Sequence, residues 1–139
     1  MTNKVFLGGT CADTTWREKL TGFIQVNYFD PVVEDWTEDC IAVEDNEKRN
    51  LCNVHLYILT KEMQGVYSVA EVIDSVKTMN KITILHVIPE GFSDGQLRSL
   101  KAVVKMVREN GGIAYIENDL MRTARVINGN FKEDSNGFK

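Results

Sequence analysis

Glu71 is the residue in this chain best placed by type and position to do chemistry. It stands in the stretch Gly65-Val66-Tyr67-Ser68-Val69-Ala70-Glu71-Val72-Ile73-Asp74-Ser75, after the apolar run Val54 to Leu59. That run reads as a buried strand, and Val69, Val72, Ile73 and Val76 then recur at helical spacing. A carboxylate in the first turn of a helix, just past a strand end, is where α/β proteins often place their chemistry. It is also where a helix is stabilised by an acid. Ser68-Val69-Ala70-Glu71 has the S-x-x-E pattern of a capping box, with Ser68 as N-cap and Glu71 reaching back to its N–H. On that account Glu71 ties down the helix, worth about 1 kcal/mol. The apolar stripe leaves Glu71 on another face, toward a pocket, a neighbouring subunit or water.

Other groups lie at the turns around it. Gly8-Gly9-Thr10 ends a short apolar strand and lets a ligand approach the backbone, or it is a plain tight turn. Asp30 precedes Pro31 at the end of a second strand. Asp35-Trp36 sits in an acidic segment, Glu34 to Glu47, that carries seven carboxylates. A tryptophan beside a carboxylate can stack on a planar base while the acid takes a hydroxyl or ring proton, and it can equally anchor a lid. Tyr67 suits contact with a ligand or packing at the helix start, and Ser68 suits a hydrogen bond to a hydroxyl or phosphate as well as the N-cap. His55 and His86 lie inside apolar strands and read as satisfied core residues. Surface ion pairing is the default for Arg17 and Arg49.

These residues need a scaffold, and the pattern supplies one. Apolar runs at Val5–Leu7, Val26–Phe29, Val54–Leu59, Ile82–Ile88 and Ile113–Ile116 alternate with helical patterns at about 14–25, 68–79, 94–110 and 119–127. Five strands alternating with helices predict an α/β fold with a parallel sheet covered on both faces. Right-handed crossovers favour the flavodoxin-like order 2-1-3-4-5, with a classical Rossmann half as the alternative. Ligands then belong outside the carboxyl ends of the strands. Asp94 is expected to cap the long helix at 94–110, residues 1–128 to form one domain, and 129–139 to be a polar tail.

The chain has 139 residues, 43% of them hydrophobic and 26% charged, as in a soluble globular protein. A net charge of -4 gives no sign of binding to a nucleic-acid polymer, yet a local pocket for a nucleoside or nucleotide is compatible with it. Cys11, Cys40 and Cys52 are widely spaced and predict free thiols in a reducing cytoplasm rather than disulfides or a zinc site. With no signal-peptide pattern and no membrane-length apolar run, a cytoplasmic protein is expected.

Four strings then fall in order and spacing: Lys4-Val-Phe-Leu-Gly-Gly-Thr10, Phe29-Asp-Pro-Val-Val-Glu-Asp-Trp36, Leu56-Tyr-Ile-Leu-Thr60 and Gly65-Val-Tyr-Ser-Val-Ala-Glu71. Together they resemble the nucleoside 2-deoxyribosyltransferase-like proteins over roughly residues 4–90, about two-thirds of the chain. The resemblance implies a flavodoxin-like fold and base exchange on 2′-deoxynucleosides without a cofactor or metal. It also implies homo-oligomers in which a neighbouring subunit, through a C-terminal residue such as Asn128, helps close each site. Glu71 matches the family's glutamate nucleophile, and Gly9, Thr10, Asp30, Asp35, Trp36, Tyr67 and Ser68 are the substrate-binding candidates. Two positions depart from the pattern: Gly65 and Asn53 stand where the better-known transferases carry acids. Help for the leaving base then falls to another group, with Asp30 and Asp35 the candidates. Hydrolysis of 2′-deoxynucleoside 5′-monophosphates and ligand binding without turnover are the alternative functions.

Overall fold

The computed structural model describes residues 2–11, 14–33 and 35–133. Glu34 of the acidic segment and the last six residues of the expected tail, 134–139, lie outside them. In chain order the elements are β1 (Lys4–Gly9), α1 (Trp16–Thr21), β2 (Asn27–Phe29) and α2 (Asp39–Asn46), which continues into a π-helical turn, Glu47–Leu51. They are followed by β3 (Val54–Leu59), α3 (Tyr67–Lys77), β4 (Ile82–Val87), α4 (Asp94–Glu109), β5 (Ile113–Ile116) and α5 (Met121–Phe131).

The sheet has the order β2-β1-β3-β4-β5 and every pairing is parallel, the flavodoxin-like arrangement. Buried on both faces, its central strands alternate between two cores. Val5, Leu7, Leu56, Ile58 and Ile84 pack with Trp16 and Leu20 of α1 and Ile127 and Phe131 of α5. Tyr57, Leu59, Leu85 and Val87 pack on the other side with Val72 of α3 and with Leu100, Val104 and Val107 of α4. Asn53 stitches the amino edge: its Oδ1 accepts from the Lys4 N–H at 2.9 Å and its Nδ2 donates to Asn3 Oδ1 at 2.7 Å.

Three local expectations are corrected. Helix α5 runs to Phe131, whose ring is buried, past the expected helix end at 127, so residues 129–131 are helix and not tail. Asn128, within this helix, accepts from the Gln25 N–H at 2.7 Å and donates to the Phe23 carbonyl at 2.9 Å, joining α5 to the loop before β2. Helix α4 is capped by Ser93 and not Asp94, because Ser93 Oγ accepts from Gln96 N–H while Gln96 Oε1 accepts from Ser93 N–H, a complete capping box.

The third concerns Ser68 and Glu71. Helix α3 begins at Tyr67, its N-cap is Val66, and no side chain caps it. Glu71 therefore sits beyond the third helical position from which a box residue can reach back. The helix is held instead by packing of Val72 against the sheet. The two serines should accordingly behave differently: Ser93→Ala should cost about 1 kcal/mol in urea unfolding, whereas Ser68→Ala should stay within about 0.5 kcal/mol.

Candidate active site

Side chains on the β1–β3 pair alternate, so Phe6, opposite His55, and Gly8, opposite Tyr57, face the same side as these two β3 residues. Above them, between the α2 segment and α3, lies a cleft of about 510 Å³. It follows one face of α3 from Tyr67 past Ala70, Glu71 and Asp74 to Thr78. Lys48 and Arg49 line the facing wall, and His55 and Tyr57 the floor. The cleft thus lies over a sheet face, with only its Tyr67 end at the carboxyl edge where ligands were expected.

Glu71 dominates this cleft. Its Oε2 meets Lys48 Nζ at 2.5 Å, with 14% of the glutamate and 20% of the lysine side chain exposed. Only Oε2 makes that contact, which leaves Oε1 outside the pair. Lys48 Nζ also stands 5.3 Å from the centroid of the Phe6 ring, within cation–π range. Glu44, one turn before Lys48, is a half-buried carboxyl. Burial holds its pKa above the ordinary range, against the pull of Lys48, and the Glu71 charge adds to the rise.

The π turn explains how Lys48 gets there. The Cys52 N–H closes on the Glu47 carbonyl at 2.7 Å, an i→i+5 bond that inserts one residue into the helical ladder. The turn is then pinned from three sides. Lys4 Nζ meets Glu47 Oε1 at 2.7 Å, and Lys81 Nζ donates to the Arg49 and Cys52 carbonyls at 2.7 and 2.9 Å. His55 Nε2 bonds the Lys48 carbonyl at 2.8 Å. Since a carbonyl only accepts, Nε2 carries the proton and Nδ1 accepts from Ser75 Oγ at 2.9 Å. Ser75 in turn takes the Thr83 hydroxyl at 2.7 Å.

The sequence reading of His55 and His86 as satisfied core residues is therefore correct. Burial lowers the His55 pKa to about 4, against the opposing Lys48 carbonyl bond, and lowers that of His86 in the same way. His86 repeats the pattern, with Nε2 on the Glu117 carbonyl and Nδ1 on Thr123 Oγ1, both at 2.7 Å. A folded-state pKa below the unfolded one means that stability is full above pH 6.5 and is lost as pH falls toward 4. His55 alone should account for about 3 kcal/mol of that loss. Urea unfolding at a series of pH values should show the decline, and His55→Gln should remove the His55 share and leave that of His86.

At the carboxyl edge the other candidates are held by Arg17, which is buried rather than paired at the surface. It donates to the Leu7 carbonyl at 3.1 Å, the Thr10 carbonyl at 2.8 Å and the Gly9 carbonyl at 3.4 Å. Its Nε also lies 3.6 Å from Asp30, whose Oδ1 accepts from the Val32 N–H at 2.9 Å. Thr10 Oγ1 accepts from the Thr60 N–H at 3.0 Å, tying β1 to β3. Of the sequence candidates, Glu71 and Tyr67 line the cleft. Gly9, Thr10 and Asp30 form the neighbouring strand-end network, Asp35 and Trp36 are exposed, and Ser68 is half-buried in the first turn of α3. None of these six is in the cleft lining.

Lys48, Tyr57 and Asp74 join the site without having been singled out. Asp74 was findable, since i and i+3 share a helical face. Lys48 and Tyr57 depend on the π turn and on strand register, which local sequence does not display. Among the described residues no His, Cys, Asp and Glu side chains gather into a metal site, and no helix is long and apolar enough to cross a membrane.

Among known families, the model described as "Nucleoside 2-deoxyribosyltransferase like" matches residues 2–90. That span runs from β1 through β4 and contains every residue lining the cleft. No curated protein and no solved structure matches the chain.

Proposed function

Because the chain belongs to the nucleoside 2-deoxyribosyltransferase-like family, we propose that it breaks the N-glycosidic bond of 2′-deoxynucleosides, with Glu71 as nucleophile, and passes the sugar to another base. The observation that supports this most is the state of Glu71: it serves no helix cap and stands in a cleft, held through one oxygen by Lys48. The ion pair is made by the carboxylate form, which is also the form that attacks.

In the reaction, a Glu71 oxygen bonds to C1′ as the C1′–N bond breaks, the bonding pair leaving with the base, which takes up a proton from solvent, and the attacking base or water of the second step returns one to solvent. The cation-like sugar of the transition state forms more readily without an electron-withdrawing 2′-hydroxyl. A second base, or water, then attacks C1′ and releases Glu71, so that two displacements give overall retention. Lys48 holds the carboxylate in place before attack and balances its charge when it is released.

A 5′-monophosphate substrate, with water as acceptor, is the second reading, and Arg49 is the observation that favours it. Its exposed guanidinium lies on the cleft wall, and arginine suits phosphate through paired N–H groups. The proposal includes a homo-oligomer in a reducing cytoplasm. Val66 and Tyr67, 77% and 74% exposed at the cleft mouth, are the surface a neighbouring copy would cover.

Incubation with deoxyadenosine, thymidine or their monophosphates, with and without free base, tests the reading by chromatography. Exchange that requires added base is expected. Base release in water would support the hydrolase, and saturable binding without turnover would support a binding module.

A further inference from the structure

Tyr57 carries a group that the fold does not use. Its side chain is fully buried in the middle of β3, and its hydroxyl has no hydrogen-bond partner. Ser75 on α3 donates to His55 and accepts from Thr83, and although it is near enough to work against the rise in the Tyr57 pKa, it lies outside hydrogen-bond geometry with the Tyr57 hydroxyl. A buried, unpaired hydroxyl destabilises the fold, and phenylalanine would fill the same space without it. Packing therefore explains the ring and leaves the oxygen unexplained.

The ring itself is accommodated by the neighbouring strand. Gly8 is Tyr57's partner across the β1–β3 pair, and a Cβ at Gly8 would lie 2.6 Å from Tyr57 Cε1. A glycine inside a central strand weakens it, which marks this as a place where something must approach closely. Tyr57 also lines the cleft that holds Glu71, Lys48 and Asp74. Burial foremost, then the Glu71 and Asp74 charges, pushes its pKa far up, so the phenol remains a neutral O–H.

Building on the Glu71 reading, we propose that the Tyr57 hydroxyl donates a hydrogen bond to the substrate, at a neutral oxygen or nitrogen of its sugar or base. The neutrality of the acceptor follows from the neighbours. Glu71 and Asp74 already place two carboxylates beside this part of the cleft, and a phosphate there would be repelled. Any 5′-phosphate belongs at the Arg49 wall. Tyr57 thereby orients the substrate, neutral end down, against Glu71, and meets part of the need left by the absent acids at Gly65 and Asn53.

Tyr57→Phe tests this with two readouts on the full chain. The variant should unfold at the same temperature as the wild type or higher, since an unpaired hydroxyl has been removed. Its kcat/KM for the best deoxynucleoside from the turnover screen should fall by about 10- to 100-fold. A lower unfolding temperature would overturn the proposal by showing that the hydroxyl is paired within the protein. Wild-type turnover that Tyr57→Phe leaves within about twofold would also overturn it, while leaving Glu71 untouched. Absence of turnover in the wild-type protein would instead overturn the Glu71 reading, and this inference with it.

Discussion

Replacing Glu71 by glutamine is expected to reduce deoxynucleoside turnover by at least about 1,000-fold while the protein stays folded. Removal of a covalent nucleophile commonly has effects of that size or larger. Glutamine is a better choice than alanine because it separates the two roles the sequence allowed. A capping box accepts glutamine at the position of glutamate, so a capping role would leave both stability and activity in place. Helix α3 has no such cap to lose. What Glu71→Gln does lose is the partner of Lys48, in a pair that is partly but not fully withdrawn from water. A cost of about 1–2 kcal/mol in urea unfolding is expected, between the values for exposed and buried pairs. Chromatographic kcat/KM together with that unfolding curve checks both halves of the expectation.

The largest stability effect is expected at Gly9. Gly9→Ala should destabilise the fold by about 3 kcal/mol or more, lowering the unfolding temperature by roughly 10 °C. Two terms add. The backbone at Gly9 has φ of +110°, which a side-chain-bearing residue rarely adopts. A Cβ there would also lie 2.2 Å from the Ile58 carbonyl oxygen and 2.6 Å from its nitrogen. Those are backbone atoms of the adjoining strand, in register with Gly9, and have no rotamer to move into. The damage should spread, because the carbonyls of Leu7, Gly9 and Thr10 are gathered on buried Arg17. Gly65→Ala provides the comparison: nothing lies within 4 Å of the added carbon, and a change below about 0.5 kcal/mol is expected. Thermal unfolding of the two variants side by side checks the contrast.

The fold was legible in the sequence because its signals were redundant. Strands β3 and β5 have the bounds that the apolar runs 54–59 and 113–116 suggested. Alternation with helices and right-handed crossovers then leave few strand orders. Boundaries were legible only where local chemistry decides them. Ser93 and Gln96 make the box that their types allow, whereas Ser68 and Glu71 have the same spacing and make none. The difference lies in the chain entering α3, where helical geometry begins at Tyr67, two residues too early for Ser68 to be the cap. The end of α5 was missed because Asn128 finds its partners 103 and 105 residues away, at Gln25 and Phe23.

In the site, Glu71 was visible from its own neighbourhood, and its partners were not. Lys48 directly follows the acidic segment Glu34 to Glu47, and nothing in its neighbourhood sets it apart from a surface charge. One residue inserted by the π turn changes which face of that segment Lys48 occupies and brings it to Glu71. Tyr57 looked like one more apolar strand residue, and only the register of β1 on β3 shows that Gly8 makes room for it. Asp30 illustrates the reverse: a carboxylate at a strand end whose nearest charged partner is Arg17.

The central claim, covalent attack by Glu71, is tested most directly by intact-protein and peptide mass spectrometry. The protein would be incubated with a 2′-deoxy-2′-fluoroarabinosyl nucleoside, whose electronegative fluorine disfavours the cation-like transition state and slows release of the sugar. The expected result is a mass increase of one fluorosugar per chain, located on the peptide containing Glu71 and absent from Glu71→Gln. Base release from deoxynucleosides with no adduct on Glu71, or an adduct on another carboxylate, would contradict the account.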